Sequence, residues 1–306
     1  MTLSFSIFSI FQFTFSDTLN TRERSFYDQD FDLSKNNILL LGSSHVGQVN
    51  ATHVNTSILH EFPNSYVYNL AEASNHPSKR ISTINEILEL NPSVVVYGIA
   101  YRDFAEKKSF DKDTIFPDPE KMLHDAASSI FSDVKFDFFD NPKLVTLNTI
   151  RSFMKTSISD DSSTFFKENT PFFPYNDLEN NNITNNSKIE KDHDKSSIKI
   201  KINLINNHEI NSLEEMIKIF QQNNVSVILF VTPHHEYYTN LIPDSEKTSF
   251  NFILNELSQK YNLKVYSLEN KYSTLNIWSS ANHVAHNPNS MIYSEDISKM
   301  ILNGFD

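Results

Sequence analysis

Five short runs of the chain are apolar almost from end to end: NILLLG at 37–42, SYVYNL at 65–70, SVVVYGI at 93–99, VSVILFVT at 225–232 and LKVYSL at 263–268. Val, Ile and Tyr dominate them and turn-forming residues lie nearby, as in strands buried inside a parallel sheet. Between these runs the period changes to that of an amphipathic helix. SKRISTINEILEL places Ile81, Ile84, Ile87 and Leu88 on one face. NSLEEMIKIFQQ opens with Ser212 and Glu215 at capping-box spacing and then buries Met216, Ile217 and Phe220. SFNFILNELSQKY repeats the pattern, and SMIYSEDISKMILNG closes the chain with Gly304 placed to end the helix. Strands alternating with helices predict an α/β fold: a three-layer sandwich around a central parallel sheet of about five strands, flavodoxin-like in type, with right-handed crossovers.

Residues 105–209 interrupt that rhythm. PEKMLHDAASSIF and PKLVTLNTIRSFMK carry helical patterns, and the stretch from about 156 to 200 is polar and rich in Asn. Such a tract buries too little apolar surface to offset chain entropy, so it is expected to be disordered, weakly packed or a lid. Phe165, Phe166, Phe172, Phe173 and Tyr175 would dock part of it on the body. Residues 18–306 then form one domain with a long central insertion.

The first 17 residues, MTLSFSIFSIFQFTFSD, are uncharged until Asp17 and rich in Phe. They are shorter than the roughly 20 apolar residues of a spanning helix and lack the basic start of a signal peptide. Two readings stand: a membrane anchor or export signal, giving a membrane-anchored or extracellular protein, and an ordinary buried segment of a cytoplasmic one. Five Asn-x-Ser/Thr sequons lean toward export only slightly, because an Asn-rich chain makes them by chance. A formal charge of −12 argues against nucleic acid, which needs a basic face. With no cysteine among 306 residues, disulfides, thiolate chemistry and Cys-ligated zinc are excluded.

Ligands of open α/β sheets bind beyond the carboxyl ends of the strands. There this chain sets Gly42, Ser43, Ser44 and His45 after the first run, Glu72, Ser74, Asn75 and His76 after the second, and Tyr101, Arg102 and Asp103 after the third. His234, His235 and Glu236 follow the fourth, and Ser280, Asn282, His283 and His286 stand near the C-terminus. Polar groups at one edge in five places predict a crevice site. A strand–Gly–x–Ser–helix turn exposes a hydroxyl and aims backbone N–H groups at the same spot, which suits a nucleophile. In the plainer reading Ser43 or Ser44 caps the following helix. His45, Tyr101, His234 and His235 are candidates for lining a substrate. Tyr97, Tyr101, Tyr237 and Tyr238 read either as a substrate wall or as core. A zinc or iron site on the histidines with Glu236 or Asp103 is the least favoured reading, because adjacent residues of an extended segment point oppositely and only one of His234 and His235 can face the crevice.

LLLGSSHVGQ resembles the first block of the GDSL/SGNH hydrolase superfamily, and SANHVAHNPNSMIYSEDI resembles its last block, an Asp-x-x-His before a closing helix. The order of strands, blocks and helices matches over roughly residues 37–304, apart from the insertion. With the N-terminal segment, the pattern suggests a divergent, surface-anchored branch, archaeal in type. The resemblance implies Ser44 as nucleophile, His283 as general base, the Ser44 N–H as one oxyanion donor, no cofactor and no metal. It implies an esterase or O-acyltransferase acting on a small-molecule or glycan ester, and membrane attachment through the N-terminus.

The departures matter. Ser43 stands where the family has Asp, Ala100 where it has the oxyanion Asn, and Ser280 where it has the Asp that orients the base; the second-block glycine has no match. Glu72 or Asp103 is a candidate to orient His283 in place of Ser280, and Arg102 or Asn75 to supply the missing donor. The alternative is a catalytically degenerate SGNH-like protein that binds ligand or serves a surface structure. If the N-terminal segment is an anchor or signal, removing residues 1–17 leaves a soluble protein with unchanged circular dichroism; loss of folding would identify the segment as core.

Overall fold

All five apolar runs are strands of one sheet. In the computed structural model they are β1 (Asn36–Gly42), β2 (Ser65–Asn69), β3 (Pro92–Ile99), β4 (Ser226–Val231) and β5 (Lys264–Ser267), ordered β2-β1-β3-β4-β5 with every pair parallel. The structure describes residues 34–105, 182–194 and 200–304, all within one compact unit. Residues 1–17, the two helical patterns before residue 156 and the Phe165–Tyr175 aromatics lie outside the described residues. β1, β3 and β4 are buried along nearly their whole length, which is why they read as unbroken apolar runs. β2 and β5 are the edges, and in β2 buried and half-buried residues alternate.

The helices are α1 (Ser44–Gly47), α2 (Ala51–Leu59), α3 (Pro77–Arg80), α4 (Ile84–Glu89), α5 (Asn186–Asp194), α6 (His208–Gln222), α7 (Glu236–Thr239), α8 (Asp244–Tyr261) and α9 (Met291–Gly304). α2 packs with α9, and α6 packs with α3 and α8, which gives the expected three layers. A short antiparallel ribbon, β6 (Trp278–Ser280) with β7 (His283–Val284), lies apart from the main sheet.

Two local expectations change. The helix expected over 78–90 is broken into α3, a 3-10 turn at Ile81–Thr83, and α4. Ser82 and Thr83 donate their hydroxyls to the Lys79 and Arg80 carbonyls at 2.7 and 3.0 Å, which competes with helical bonding. Ile84 and Ile87 are buried, whereas Ile81 and Leu88 are half-buried. α6 starts at His208, four residues before Ser212, because the Asn207 side chain caps it by accepting from the Glu209 and Ile210 N–H groups. Of the tract at 156–200 the structure describes residues 182–194 and 200, and these show where a part of it is held. Thr184 and Ile189 anchor α5: Thr184 donates its N–H to the Trp278 carbonyl and its hydroxyl to the Ser279 carbonyl, each at 2.7 Å, and Ile189 is 2% exposed. The polar average of the tract hides these two anchors.

The strand order reverses direction at β1 and β3, and sheets of this kind bind ligands beyond the carboxyl ends of the strands at such a point. There Gly42 of β1 faces Gly98 of β3. Gly42 has φ +140°, and a Cβ on it would meet the Gly98 carbonyl oxygen and Val46 Cγ2, each at 2.7 Å. A Cβ on Gly98 would meet Val46 Cγ2 and lie 2.7 Å from Phe230 Cζ. Gly42→Ala and Gly98→Ala are each expected to lower stability by about 1–3 kcal/mol in urea unfolding. Gly42→Ala is expected to be the worse, because it meets backbone and carries positive φ.

Candidate active site

Past Gly42 the chain turns through Ser43, in extended conformation, into α1. Ser43 occupies the cap position, but its side chain does not cap the helix; its Oγ lies 2.8 Å from His45 Nδ1. The turn is pinned from two sides. Asn69, fully buried at the end of β2, donates its amide to the Val46 and Val49 carbonyls, each at 2.9 Å. On α9, Tyr293 donates its hydroxyl to the His45 carbonyl at 3.2 Å. Ser44, as the first residue of the helix, has an N–H with no intrahelical acceptor.

The β6–β7 ribbon carries His283 and is braced from all around. Thr184 holds both the Trp278 and Ser279 carbonyls. The His235 N–H donates to the Ala281 carbonyl at 2.9 Å, and the Ala285 N–H to the Ile277 carbonyl at 2.7 Å. Trp278, with no exposed surface, donates its indole N–H to the Tyr272 carbonyl at 3.3 Å. Tyr272 in turn donates its hydroxyl to Asp296 of α9 at 2.6 Å, so the ribbon is tied to the same helix that holds α1.

These two supports bring Ser44 Oγ to 2.8 Å from His283 Nε2, across 239 residues of sequence. His283 Nδ1 lies 3.1 Å from Ser280 Oγ, and Ser280 donates its hydroxyl to Asn282 Oδ1 at 2.9 Å. Because Ser280 spends its proton on Asn282, it accepts from Nδ1–H, and Nε2 is then free to accept from the Ser44 hydroxyl. In that tautomer the hydrogen bonds run one way, Ser44 to His283 to Ser280 to Asn282. Ser44 and His283 are both partly exposed.

A buried aromatic group backs this pair. The His45 ring stacks on His283 with centroids 4.8 Å apart and planes at 11°. His234 lies 5.2 Å from His45, stacks on Tyr238 at 4.7 Å, and is 6.1 Å from Tyr101. Burial, then the charge that His283 can carry, lowers His45 well below the ordinary histidine value. The same causes bring His234 down to about 3. Burial, then Asp103, raises Tyr238, with Arg102 beside its hydroxyl opposing, to about 12. Tyr97, Tyr101 and Tyr238 are all at most 2% exposed, so they are core, and Tyr101 packs on Phe250 and hydrogen-bonds Glu269.

The remaining sequence candidates lie elsewhere. Glu72 does not orient His283. It accepts from Asn75 at 2.8 Å and pairs with Lys79 at 2.5 Å. Asp103 does not either. Its carboxylate accepts the Ala100 N–H at 2.7 Å and lies 3.3 Å from His76 Nδ1, and burial raises its pKa. Both carboxylates are thus held by groups close to them in sequence or at the edge of β3. The Ala100 N–H is spent on Asp103, and the Ala100 side chain carries no donor. Arg102 is exposed, and its charge acts on His45 and His234. His235 points away from His234, as period two requires: it accepts the Tyr237 N–H at Nδ1, capping α7, and meets Trp278 edge-on. His286 lies against the Gln48 carbonyl at 3.3 Å. No group of three or more His, Asp or Glu among the described residues is arranged to hold a metal ion, and no described helix is long and apolar enough to cross a membrane.

Sequence reasoning passed over Asn282 as the end of the relay, although it sits between Ser280 and His283. It also passed over Thr184, for which the Asn-rich surroundings give no signal.

No family model matches this chain, and no curated protein matches it in sequence. Among solved structures it is similar to TesA, at 8% identity and TM-score 0.44 over 88% of this chain and 98% of that one. It is similar to a lipase/acylhydrolase from Enterococcus faecalis, at 13% identity and TM-score 0.43 over 87% and 93%. It is also similar to the acetyl xylan esterase AlAXEase, at 10% identity and TM-score 0.43 over 88% and 100%.

Burial of His234 gives the site a pH signature. Between its folded value of about 3 and its ordinary 6.5, the unfolded chain binds the extra proton, so stability rises with pH and is complete above the ordinary value. His45 acts in the same sense, and Asp103, raised by burial, in the opposite sense above its ordinary value. His234→Phe should keep the stack on Tyr238 and flatten the rise of stability with pH by about 1.4 kcal/mol per pH unit between about pH 4 and 6. Urea unfolding at a series of pH values measures it; an unchanged slope would mean that His234 is protonated in the folded state.

Proposed function

We propose that the chain is an SGNH-like serine esterase or O-acyltransferase in which Ser44 attacks an ester carbonyl. The observation that carries this reading is the Ser44 Oγ to His283 Nε2 approach of 2.8 Å, with the other imidazole nitrogen held by Ser280. His283 takes the Ser44 proton as Oγ bonds to the carbonyl carbon, then returns it to the leaving alcohol as the tetrahedral species collapses to an acyl-enzyme. Water, or a second alcohol in the transferase case, then releases the acyl group. The Ser44 N–H is one oxyanion donor, and Arg102 is the candidate for the second. The substrate we favour is an ester on a small molecule or a surface glycan, reached by a protein held at the membrane through its N-terminal segment.

A second reading is a binding or surface-structural protein that kept the crevice and lost the chemistry. Ala100 favours it, because it supplies no side-chain donor and its N–H is taken by Asp103. Loss of one oxyanion donor costs about 10²–10³ in rate elsewhere.

A fluorophosphonate probe separates the two. Native protein should label at Ser44, Ser44→Ala should not, and His283→Ala should label at least about 10²-fold more slowly. Ser280→Asp should speed labelling and ester hydrolysis, because a carboxylate stabilises the imidazolium that a hydroxyl does not. Absence of labelling in every variant, with native circular dichroism, would favour the binding protein.

A further inference from the structure

We propose that His45 is a positioning residue for His283: its ring, stacked flat on His283, steadies the imidazolium formed when the Ser44 proton arrives. The inference rests on the Ser44–His283 chemistry proposed above and adds a residue to it.

The geometry is specific. The two rings lie 4.8 Å apart with planes 11° from parallel, which presents the π face of one to the other. Ser43 Oγ, 2.8 Å from His45 Nδ1, fixes the rotation of the His45 ring, and Tyr293 holds its backbone. His45 is 7% exposed and its Nε2 is buried without a hydrogen-bond partner. The surrounding groups hold the ring neutral: burial acts first, then His283, His234 beyond β4, and Arg102 beyond β3. A cation at His45 would repel the charge on His283. A neutral aromatic ring attracts it through its quadrupole, an effect that strengthens where water is excluded. Ser280 Oγ, an uncharged group, lies 3.1 Å from His283 Nδ1, and the stacked ring adds a stabilisation of the imidazolium that a hydroxyl does not give.

Two substitutions separate ring from nitrogen. His45→Phe keeps a flat π face and loses both nitrogens. His45→Leu loses the ring, and His45→Met, also without one, replaces it if the Leu variant does not fold. The readouts are the NMR titration of the His283 ring and the pH profile of Ser44 labelling by the fluorophosphonate. With Leu or Met, His283 is expected to bind its proton about 3- to 10-fold more weakly, the range of a partly desolvated cation–π contact. The labelling profile should move to lower pH with it. With Phe both should stay within about 2-fold of native. An unmoved titration in the Leu and Met variants, folded by circular dichroism, would overturn the proposal, as would a Phe variant that falls as far as Leu. The titration needs no catalysis. A native protein that never labels but whose His283 responds to the ring would sink the enzyme reading and leave the stack standing. A protein that labels at Ser44 while its His283 ignores the ring would do the reverse.

Discussion

Gly42 and Gly98 lie face to face where the two central strands end, and the turn that carries Ser44 is shaped by how closely they approach. With a methyl group at either, Val46 could not sit over the pair, and α1 would be pushed off the strand ends. Val46 lies two residues from Ser44 and its carbonyl is one of the two that Asn69 grips. The packing of one valine onto two glycines thus fixes where the Ser44 hydroxyl emerges. Two of the four glycines of the chain are used here, which is why a glycine after the first apolar run carries so much information.

The other half of the site reaches the same place by a different route. His283 stands on a two-stranded ribbon outside the main sheet, a structure too small to hold its own shape in water. Its rigidity is borrowed from α9 through Asp296, Tyr272 and Trp278, from the β4 exit through His235, and from the insertion through Thr184. Because α9 also holds α1 through Tyr293, a single helix references both partners of the Ser44–His283 contact. That shared support keeps a contact across 239 residues within hydrogen-bonding distance.

What the sequence revealed follows the range of each signal. The strands were legible because continuous apolar runs have few other uses, and their buried centres agree with that. That Ser44 and His283 would meet was legible through two short blocks at the ends of the fold. Glu72 and Asp103 were misplaced because a one-dimensional reading assigns residues to the right edge of a sheet but not to a partner: Lys79 and Asn75 take Glu72, and the Ala100 N–H takes Asp103, each within seven residues. Thr184 was invisible for the converse reason. Its two hydrogen bonds go to backbone carbonyls nearly a hundred residues away, which demand no particular sequence at either end. The break in the 78–90 helix was readable in principle, since Ser82 and Thr83 are adjacent residues whose hydroxyls compete for helical carbonyls.

Two Ser–His contacts of the same length stand side by side in this turn, and the difference between them bears on what the site is for. Ser43 and His45 are 5% and 7% exposed, and their hydrogen bond is sealed in the interior, where a structural contact belongs. Ser44 and His283 share the 2.8 Å distance but keep open surface. A protein that needed only to tie its first turn to its last block could have sealed the second contact like the first, and gained by excluding water from it. Leaving it open weakens it as a structural link and makes the hydroxyl reachable from solvent. The relay behind it is also ordered so that Nε2 accepts from Ser44, the one arrangement in which the proton can leave the serine. A purely structural pair would be equally satisfied with the opposite tautomer, Nε2–H donating to Ser44. Ser280 and Asn282 determine that choice, since the Ser280 hydroxyl is spent on Asn282 and can only accept from His283. Partial exposure and this proton direction are both what the nucleophile proposed above requires of Ser44.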